Sequence, residues 1–417
     1  MRAKLANWAK NQTFSAEKVH WPSSVEEVQN LVAKSTKAKA LGTRHSFNKI
    51  ADTQGDLISL ERLNQVVSLD LSQSAVTVEA GIRYTELSQW LNKEGLALAN
   101  LASLPHISVG GSLATGTHGS GNSHGILATA VRSFEIVTAN GEIKTIQRED
   151  PEFPGFAVSL GALGIAVRIT LDVGPAFQIA QVLYEDLALR DVLDNLDAIM
   201  ASAYSVSLFT DWTHSRIDLA WLKHLRPRNP QAWPEEFYGG TIAASQRHPI
   251  ATASPAYCYP QLGIFGPSHE RLPHFRWDCL PSSGEELQSE YLIPRRHAAD
   301  ALMAVHNLKP EIAPILQICE IRTVAADDFW LSPAFDRPCL AVHFTWRKQP
   351  DEVAALLPEL EKELAPFQAR PHWGKLFSVA PKELKALYPK LPEFRALASE
   401  LDPEGKFKNP FLQKCIF

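Results

Sequence analysis

The chain has no apolar run long enough to span a membrane, and its opening stretch, "MRAKLANWAKNQTF", lacks the hydrophobic core of a secretory leader. It has no CxxC pair either. Its five cysteines (Cys258, Cys279, Cys319, Cys339 and Cys415) are scattered through the second half, as expected of reduced thiols in a cytoplasmic protein. Positive charge is not in excess: 41 Lys and Arg stand against 46 Asp and Glu, a net charge of -5, which argues against a nucleic-acid partner. No HExxH motif occurs, no GxSxG stretch sits in a strand-to-helix elbow, and the 14 histidines show no ligand spacing, so neither a metal centre nor a serine-hydrolase nucleophile is expected. Internal repeats and low-complexity tracts are missing too. What remains is 417 residues, 45% hydrophobic and 21% charged, too long for one core and expected to form two domains.

The pattern of elements is mixed. "WPSSVEEVQNLVAKS" predicts a helix with a capping box of Ser23 and Glu26, burying Val25, Val28, Leu31 and Val32. "AKAL", "LISL", "QVVSLD" and "AVTVEAG" are short strands, too closely spaced for every pair to be a βαβ unit. "YTELSQWLNKEG" is a second helix ended by Gly95. "VRSFEIVTANGEIKTI" predicts a hairpin, with Asn140-Gly141 in a type I′ turn, and "GIAVRITLDVGP" a strand that ends at Pro175. Beyond a boundary placed there lie a helix around "DVLDNLDAIMASA" and four antiparallel-looking strands, "YSVSLFTDW", "LQSEYLIP", "LQICEIRTV" and "CLAVHFTW". The proline-rich stretch from His224 to Tyr259 is expected to be a surface loop, and short helices follow Lys375. The fold class is therefore α+β.

Two stretches stand out chemically. "SLPHISVGGSLATGTHGSGNSHG", Ser103 to Gly125, is dense in glycine, hydroxyls and histidine, and carries no Lys, Arg, Asp or Glu. Such a backbone can approach a ligand closely and turn its N–H groups on a pyrophosphate. Gly111 and Gly116 have P-loop spacing without the lysine, and Gly119-Ser120-Gly121 lacks the third glycine of a Rossmann fingerprint, which leaves a dinucleotide site of another type. In "ALGTRHSFNKI", Gly42 permits a tight turn after a strand and holds the imidazole of His45 beside the same site. The strands "LQICEIRT" and "LAVHFTWR" add a polar face by period-two alternation: Glu320 and Arg322 with Ile318, and His343 with Thr345, with Cys319, Ile321, Val342, Phe344 and Trp346 behind. A solvated sheet face is the plain alternative.

"GTRHSFN", "SVGGSLATGTHGSG", "SLGALGIAVRITL" and "RPHWGK", in this order over nearly the whole chain, resemble the vanillyl-alcohol-oxidase type of FAD-linked oxidoreductase, and within it the bacterial branch that oxidises alditols. The resemblance implies an FAD-binding domain of two small α/β subdomains and a substrate domain with a large antiparallel sheet flanked by helices. Residues 1–175 and 380–417 would form the first, and residues 176–379 the second. The flavin-linking histidine falls on His45. The FAD contacts fall on Leu41, Gly42, Thr43, Arg44, His45, Ser46, Ser103, Ser108, Gly111, Ala114, Thr115, Gly116, Thr117, Ile165 and His372, with Ala102 beside the flavin. Thr43-Arg44 departs from the small pair, such as Ser-Gly, expected before the histidine; the Arg44 side chain is expected to face solvent.

The family's substrate contacts fall on Ser103, Glu320, Arg322, Thr345 and Lys375. Alcohol oxidation suits them. Cationic Arg322 and Lys375 can stabilise developing alkoxide charge, while Glu320, Thr345 and Ser103 offer a polyol donors and acceptors. His343 and a neutral Lys375 both remain open as the group that takes the hydroxyl proton. The expected reaction converts alditols such as xylitol and sorbitol to aldoses, with O2 reduced to H2O2, in a monomer with no nucleic-acid or membrane partner. A sugar-1,4-lactone oxidase or dehydrogenase of the same family is the near alternative, and a non-catalytic flavin- or sugar-binding protein the distant one. "SLPHIS", "HFTW" and the compact length favour the alditol branch.

Overall fold

In the computed structural model, which describes residues 5–229, 232–279 and 284–417, the first helix is α1 (Val25–Lys34). Its cap lies one residue beyond the predicted one. The Ser24 hydroxyl accepts from the Glu27 N–H at 3.1 Å, and Glu27 Oε2 accepts from the Ser23 N–H at 2.7 Å, so Ser23 and Glu26 are not the capping pair. Val28 and Val32 are buried as the spacing predicts, with Val25 and Leu31 packed at the rim.

Among the described residues three main sheets follow, besides a two-stranded pairing of Leu96–Ala97 with Gly174–Pro175. β1 (Lys18–His20), β2 (Ala38–Leu41) and β3 (Asp56–Ser59) form a parallel sheet in the order β1-β3-β2. β4 (Val66–Asp70), β5 (Ala75–Glu79), β6 (Val131–Val137), β7 (Ile143–Gln147) and β8 (Ile165–Asp172) form an antiparallel one in the order β4-β5-β8-β6-β7. The hairpin of β6 and β7 closes differently from prediction. Only Gly141 takes a positive φ (86°); the Asn140 side chain is held by Thr138 Oγ1 at 2.6 Å and Glu142 Oε2 at 2.8 Å, so the turn is not type I′. Helices α2 (Tyr84–Lys93) and α3 (Val109–Ala114) lie between these strands in sequence. Gly95, at φ 73°, follows the end of α2.

The third sheet is the largest. Its central strands are β9 (Gln178–Ala188), β10 (Ser205–Thr210), β11 (Arg216–Leu225), β12 (Glu286–Pro294), β13 (Leu316–Val324) and β14 (Cys339–Arg347), ordered β9-β11-β10-β13-β14-β12 and antiparallel throughout. One face carries Cys319, Ile321, Val342, Phe344 and Trp346 into a core shared with the helices Ala298–Asn307 and Pro350–Leu364. The helix predicted around Asp191 is two short ones, Leu189–Asp194 and Leu196–Met200.

The stretch from His224 to Tyr259 is more than a surface loop. Glu236–Phe237 and Gly240–Ile242 extend the large sheet, and His248 is buried; Pro230 and Gln231 lie outside the described residues. The C-terminus returns to the beginning of the chain. The Ala38 N–H donates to Lys406 O at 3.1 Å, and Asn409 Nδ2 donates to the carbonyls of Lys49, Ile50 and Asp52 at 2.8–3.1 Å. Among the described residues no helix is long and apolar enough to cross a membrane.

Candidate active site

One cavity joins the loop after β2, the start of α3 and the polar face of the large sheet. It encloses about 2140 Å³ of unfilled space, part of it open to solvent.

The loop side is shaped by close backbone approach. A Cβ on Gly42 would lie 2.5 Å from Ser108 Oγ, and one on Gly111 would lie 2.9 Å from the same oxygen. Glycine at both positions lets the two segments meet. Between them Arg44 holds φ at 66°, a left-handed conformation that costs a non-glycine residue roughly 1–2 kcal/mol. Its side chain is exposed and reaches Ala6 O at 3.3 Å.

His45 lies against Trp8, ring centroids 5.2 Å apart, with Nδ1 3.0 Å from Thr43 Oγ1. Its Nε2 is enclosed and has no hydrogen-bond partner. Burial, helped by His106 and Arg83, pushes its pKa down to about 4. The imidazole is therefore neutral and nucleophilic at physiological pH. An unpartnered imidazole nitrogen beside a loop of glycines and hydroxyls fits an FAD.

Of the residues expected to contact FAD, Leu41, Gly42, Thr43, Arg44, His45, Ser46, Ser103, Ser108, Gly111, Ala114, Thr115, Thr117 and His372 line this cavity, as does Ala102. Gly116 and Ile165 do not. Gly116, at φ 69°, faces Pro333, while Ile165 sends its side chain into the core and leaves Gly164 and Ala166 at the wall. The alternation of β8 accounts for the second case.

On the sheet side Ser103, Glu320, Arg322, His343, Thr345 and Lys375 all line the cavity. Register brings them together: Glu320 pairs with His343 and Ile318 with Thr345 across β13 and β14. The neighbouring β12 adds two residues that the reading of the sequence passed over, since Glu290 pairs with His343 and Gln288 with Thr345. The signal was present in "LQSEYLIP", where Gln288 and Glu290 share a face with the same period-two spacing.

Glu290 changes how the two cations are understood. Arg322 Nη2 donates to its Oε1 at 2.6 Å and Lys375 Nζ to its Oε2 at 2.6 Å; His118 Nε2 stands 3.2 Å from Oε1. Burial pushes the Glu290 carboxyl up, but Lys375, Arg322 and His118 together hold it well below the usual carboxylate range. Arg322 and Lys375 are thus not free cations awaiting an alkoxide.

Glu320 is paired as well. His274 Nε2 lies 2.8 Å from its Oε1, with Ser103 Oγ at 3.4 Å and Arg322 Nε at 3.6 Å. Burial works against that carboxylate too, and Arg322 and His274 keep it ionised. Lys375 Nζ also contacts His343 Nδ1 at 2.6 Å, and His343 Nε2 is 3.1 Å from Thr345 Oγ1. Burial, with Lys375 adding, lowers His343 to about 4. Burial lowers Lys375 against the pull of Glu290. His274 and His248, which also line the cavity, had no sequence motif to announce them.

The chain is similar to known proteins. Residues 16–147 match the family described as FAD binding domain, and residues 273–415 match that described as D-arabinono-1,4-lactone oxidase. An alditol oxidase from Streptomyces sp. is 47% identical over 419 residues, covering 100% of both chains. The L-gulonolactone oxidase of Bos taurus is 30% identical over 439 residues, covering 99% of this chain and 98% of its own. Among solved structures, cholesterol oxidase from B. sterolicum superposes with a TM-score of 0.78 at 16% identity, covering 99% of this chain and 96% of that one. Xylooligosaccharide oxidase from Myceliophthora thermophila C1 gives 0.76 at 16%, covering 97% and 93%. These two share the fold. Identity along the full length carries the rest: the chain belongs to the alditol oxidase family, within the vanillyl-alcohol-oxidase type of FAD-linked oxidoreductases.

Proposed function

We propose that the protein oxidises the primary alcohol of alditols such as xylitol and sorbitol to the aldose, with O2 as the final acceptor and H2O2 as the by-product. The observation that carries this reading is the polar face of β12, β13 and β14, turned into the same cavity as the His45 loop. We place the FAD domain in residues 1–175 and 380–417, supported by the Lys406 and Asn409 contacts to the N-terminal segments, and the substrate domain in residues 176–379. His45 is the proposed covalent attachment point, supported by its neutral ring and enclosed, unpartnered Nε2.

When bound, FAD supplies the hydride acceptor for the carbinol carbon. The chain's own residues do the remainder. Ser103 and Thr345 hydroxyls, the Glu320 carboxylate and the Arg322 guanidinium hold the substrate's hydroxyls, which need both donors and acceptors once water is excluded. Arg322 stabilises charge that develops on the reacting oxygen. The Lys375–His343 pair takes the hydroxyl proton: both groups are pushed towards neutrality by burial, and they stand 2.6 Å apart. In the resting network Lys375 donates to His343 Nδ1, which leaves the Nε2–H to donate to Thr345.

The test is anaerobic mixing with xylitol while the visible spectrum is recorded. Bleaching of the flavin, followed by H2O2 formation on admitting air, is expected. Bleaching by a sugar 1,4-lactone and not by any alditol would replace this reading with the lactone one. No bleaching by either would leave a binding protein.

A further inference from the structure

Glu290 is not among the residues given a role above, yet its side chain touches Arg322 and Lys375 and approaches His343. Its side chain is 1% exposed, so nearly all of its polar surface is given to protein partners. Its two oxygens are divided between the cations, Oε1 to Arg322 and Oε2 to Lys375, each at 2.6 Å. Oε2 is also 3.7 Å from His343 Nδ1, the atom that Lys375 contacts from the other side at 2.6 Å. The backbone is tied to the same place, since the His372 N–H donates to Glu290 O at 2.9 Å and the Lys375 N–H donates to His372 O at 3.1 Å.

We propose that Glu290 is a positioning residue for the oxidation: one carboxylate holds Arg322 and Lys375 side by side, and so keeps Lys375 on His343. This rests on the alditol-oxidising reading of the site. Two like charges brought this close repel unless an anion lies between them. Glu320 does not serve Lys375 in this way, because its own contacts are His274, Ser103 and Arg322. The remaining groups facing the cluster are His118 at 3.2 Å from Glu290 Oε1, His372 behind Lys375, and Lys223, which acts on Glu320 and Arg322 from β11. The His118 Nδ1–H donates to Gly119 O at 2.9 Å, so its Nε2 alone is turned towards the cluster.

The consequence is readable in pH. The Glu290 charge raises both Lys375 and His343, the two groups able to take the proton, while Arg322 lowers them. Glu290→Gln removes the charge with little change of shape. The acid limb of the flavin-reduction rate is therefore expected to move to lower pH by about one unit or more, the displacement an opposite charge within hydrogen-bonding distance typically causes. The maximal kcat is expected to fall roughly a hundredfold, because a misplaced Lys375 no longer meets the reacting oxygen, with a smaller change in KM. A pH titration of the resting enzyme's visible spectrum should show the same acid displacement, which is a readout independent of turnover. Glu290→Asp keeps the charge, and should restore the limb but not the full rate.

In Lys375→Met enzyme, adding Glu290→Gln should cost far less than it does in wild type, since the residue through which it acts is gone. This pair also carries the test if Glu290→Gln alone leaves two buried cations unmatched and fails to fold; the limb position of Glu290→Asp then serves as the second measurement. Unmoved limbs and spectra in a folded Glu290→Gln enzyme, or full additivity with Lys375→Met, would overturn the proposal. The alditol-oxidising reading fails separately, by the wild-type enzyme reducing its flavin with no polyol.

Discussion

The two walls of the cavity are built on opposite principles. The loop side is made by backbone: Gly42 and Gly111 let chain segments touch, and His45 presents an enclosed, unpartnered Nε2. The sheet side is made by side chains: Glu290, Glu320, Arg322 and His343 are buried on three strands, Lys375 and His274 reach them from loops, and the groups satisfy one another. A backbone-built site depends on a few residues adjacent in sequence. A side-chain-built one depends on register between strands far apart, and its members cannot be removed singly without stranding a partner.

The contrast is tested most strongly on the sheet side. Arg322→Ala should lower kcat by about a hundred- to a thousandfold, near 3–4 kcal/mol of lost charge stabilisation in the transition state, and Lys375→Ala by a similar factor, roughly a hundredfold or more, because the group that takes the proton is gone. Thr345→Ala should cost about 1 kcal/mol, as expected of one neutral hydrogen bond. Flavin content should be unchanged in all three. Stopped-flow reduction under anaerobic conditions measures the difference; if both cation variants reduced the flavin at wild-type rates, the cations would be structural only.

On the loop side, His45→Ala should abolish covalent attachment while leaving the charged sheet face intact. Denatured wild-type protein should stay yellow and the variant should not. Release of all FAD from fully loaded wild-type protein by acid precipitation would show that His45 makes no bond to it.

Acid should strain the sheet side more. His274 and His343 are lowered by burial to about 4, from an ordinary 6.5, and His45 on the loop side is lowered to about the same value. Between those values the unfolded chain binds more protons than the folded one, so stability rises with pH through that window and is lost as pH falls towards 4. Thermal melts from pH 7 to pH 4.5 should show Tm falling steadily. His45→Ala should remove only part of the slope, and an undiminished Tm at pH 4.5 would contradict the neutral assignment of these rings.

The smallest effect concerns Arg44. Glycine adopts φ 66° without strain, so Arg44→Gly is expected to recover about 1 kcal/mol less the extra chain entropy of glycine, a Tm change of roughly 2 °C or less in a protein this size. Covalent flavin loading should be equal or faster. A marked loss of loading would mean that the exposed side chain, with its contact to Ala6 O, does more than tolerate the turn.

Periodicity and local motif by themselves determined much of this protein. Helices and strands along the chain, the inward faces of β13 and β14, and the glycine-rich loops with His45 are all consequences of neighbouring residues, whose spacing decides which side of an element they occupy. Small local shifts, such as the cap at Ser24 and the turn at Asn140, were settled by which side chain accepts from the backbone there. Only the tertiary structure decided what those faces meet. Glu290 lies thirty or more residues from Arg322 and eighty-five from Lys375, and His274 forty-six from Glu320. Nothing local in the sequence couples them. Strand order and register brought these charges into one enclosed space, where a charge must find its partner because water cannot serve in its place.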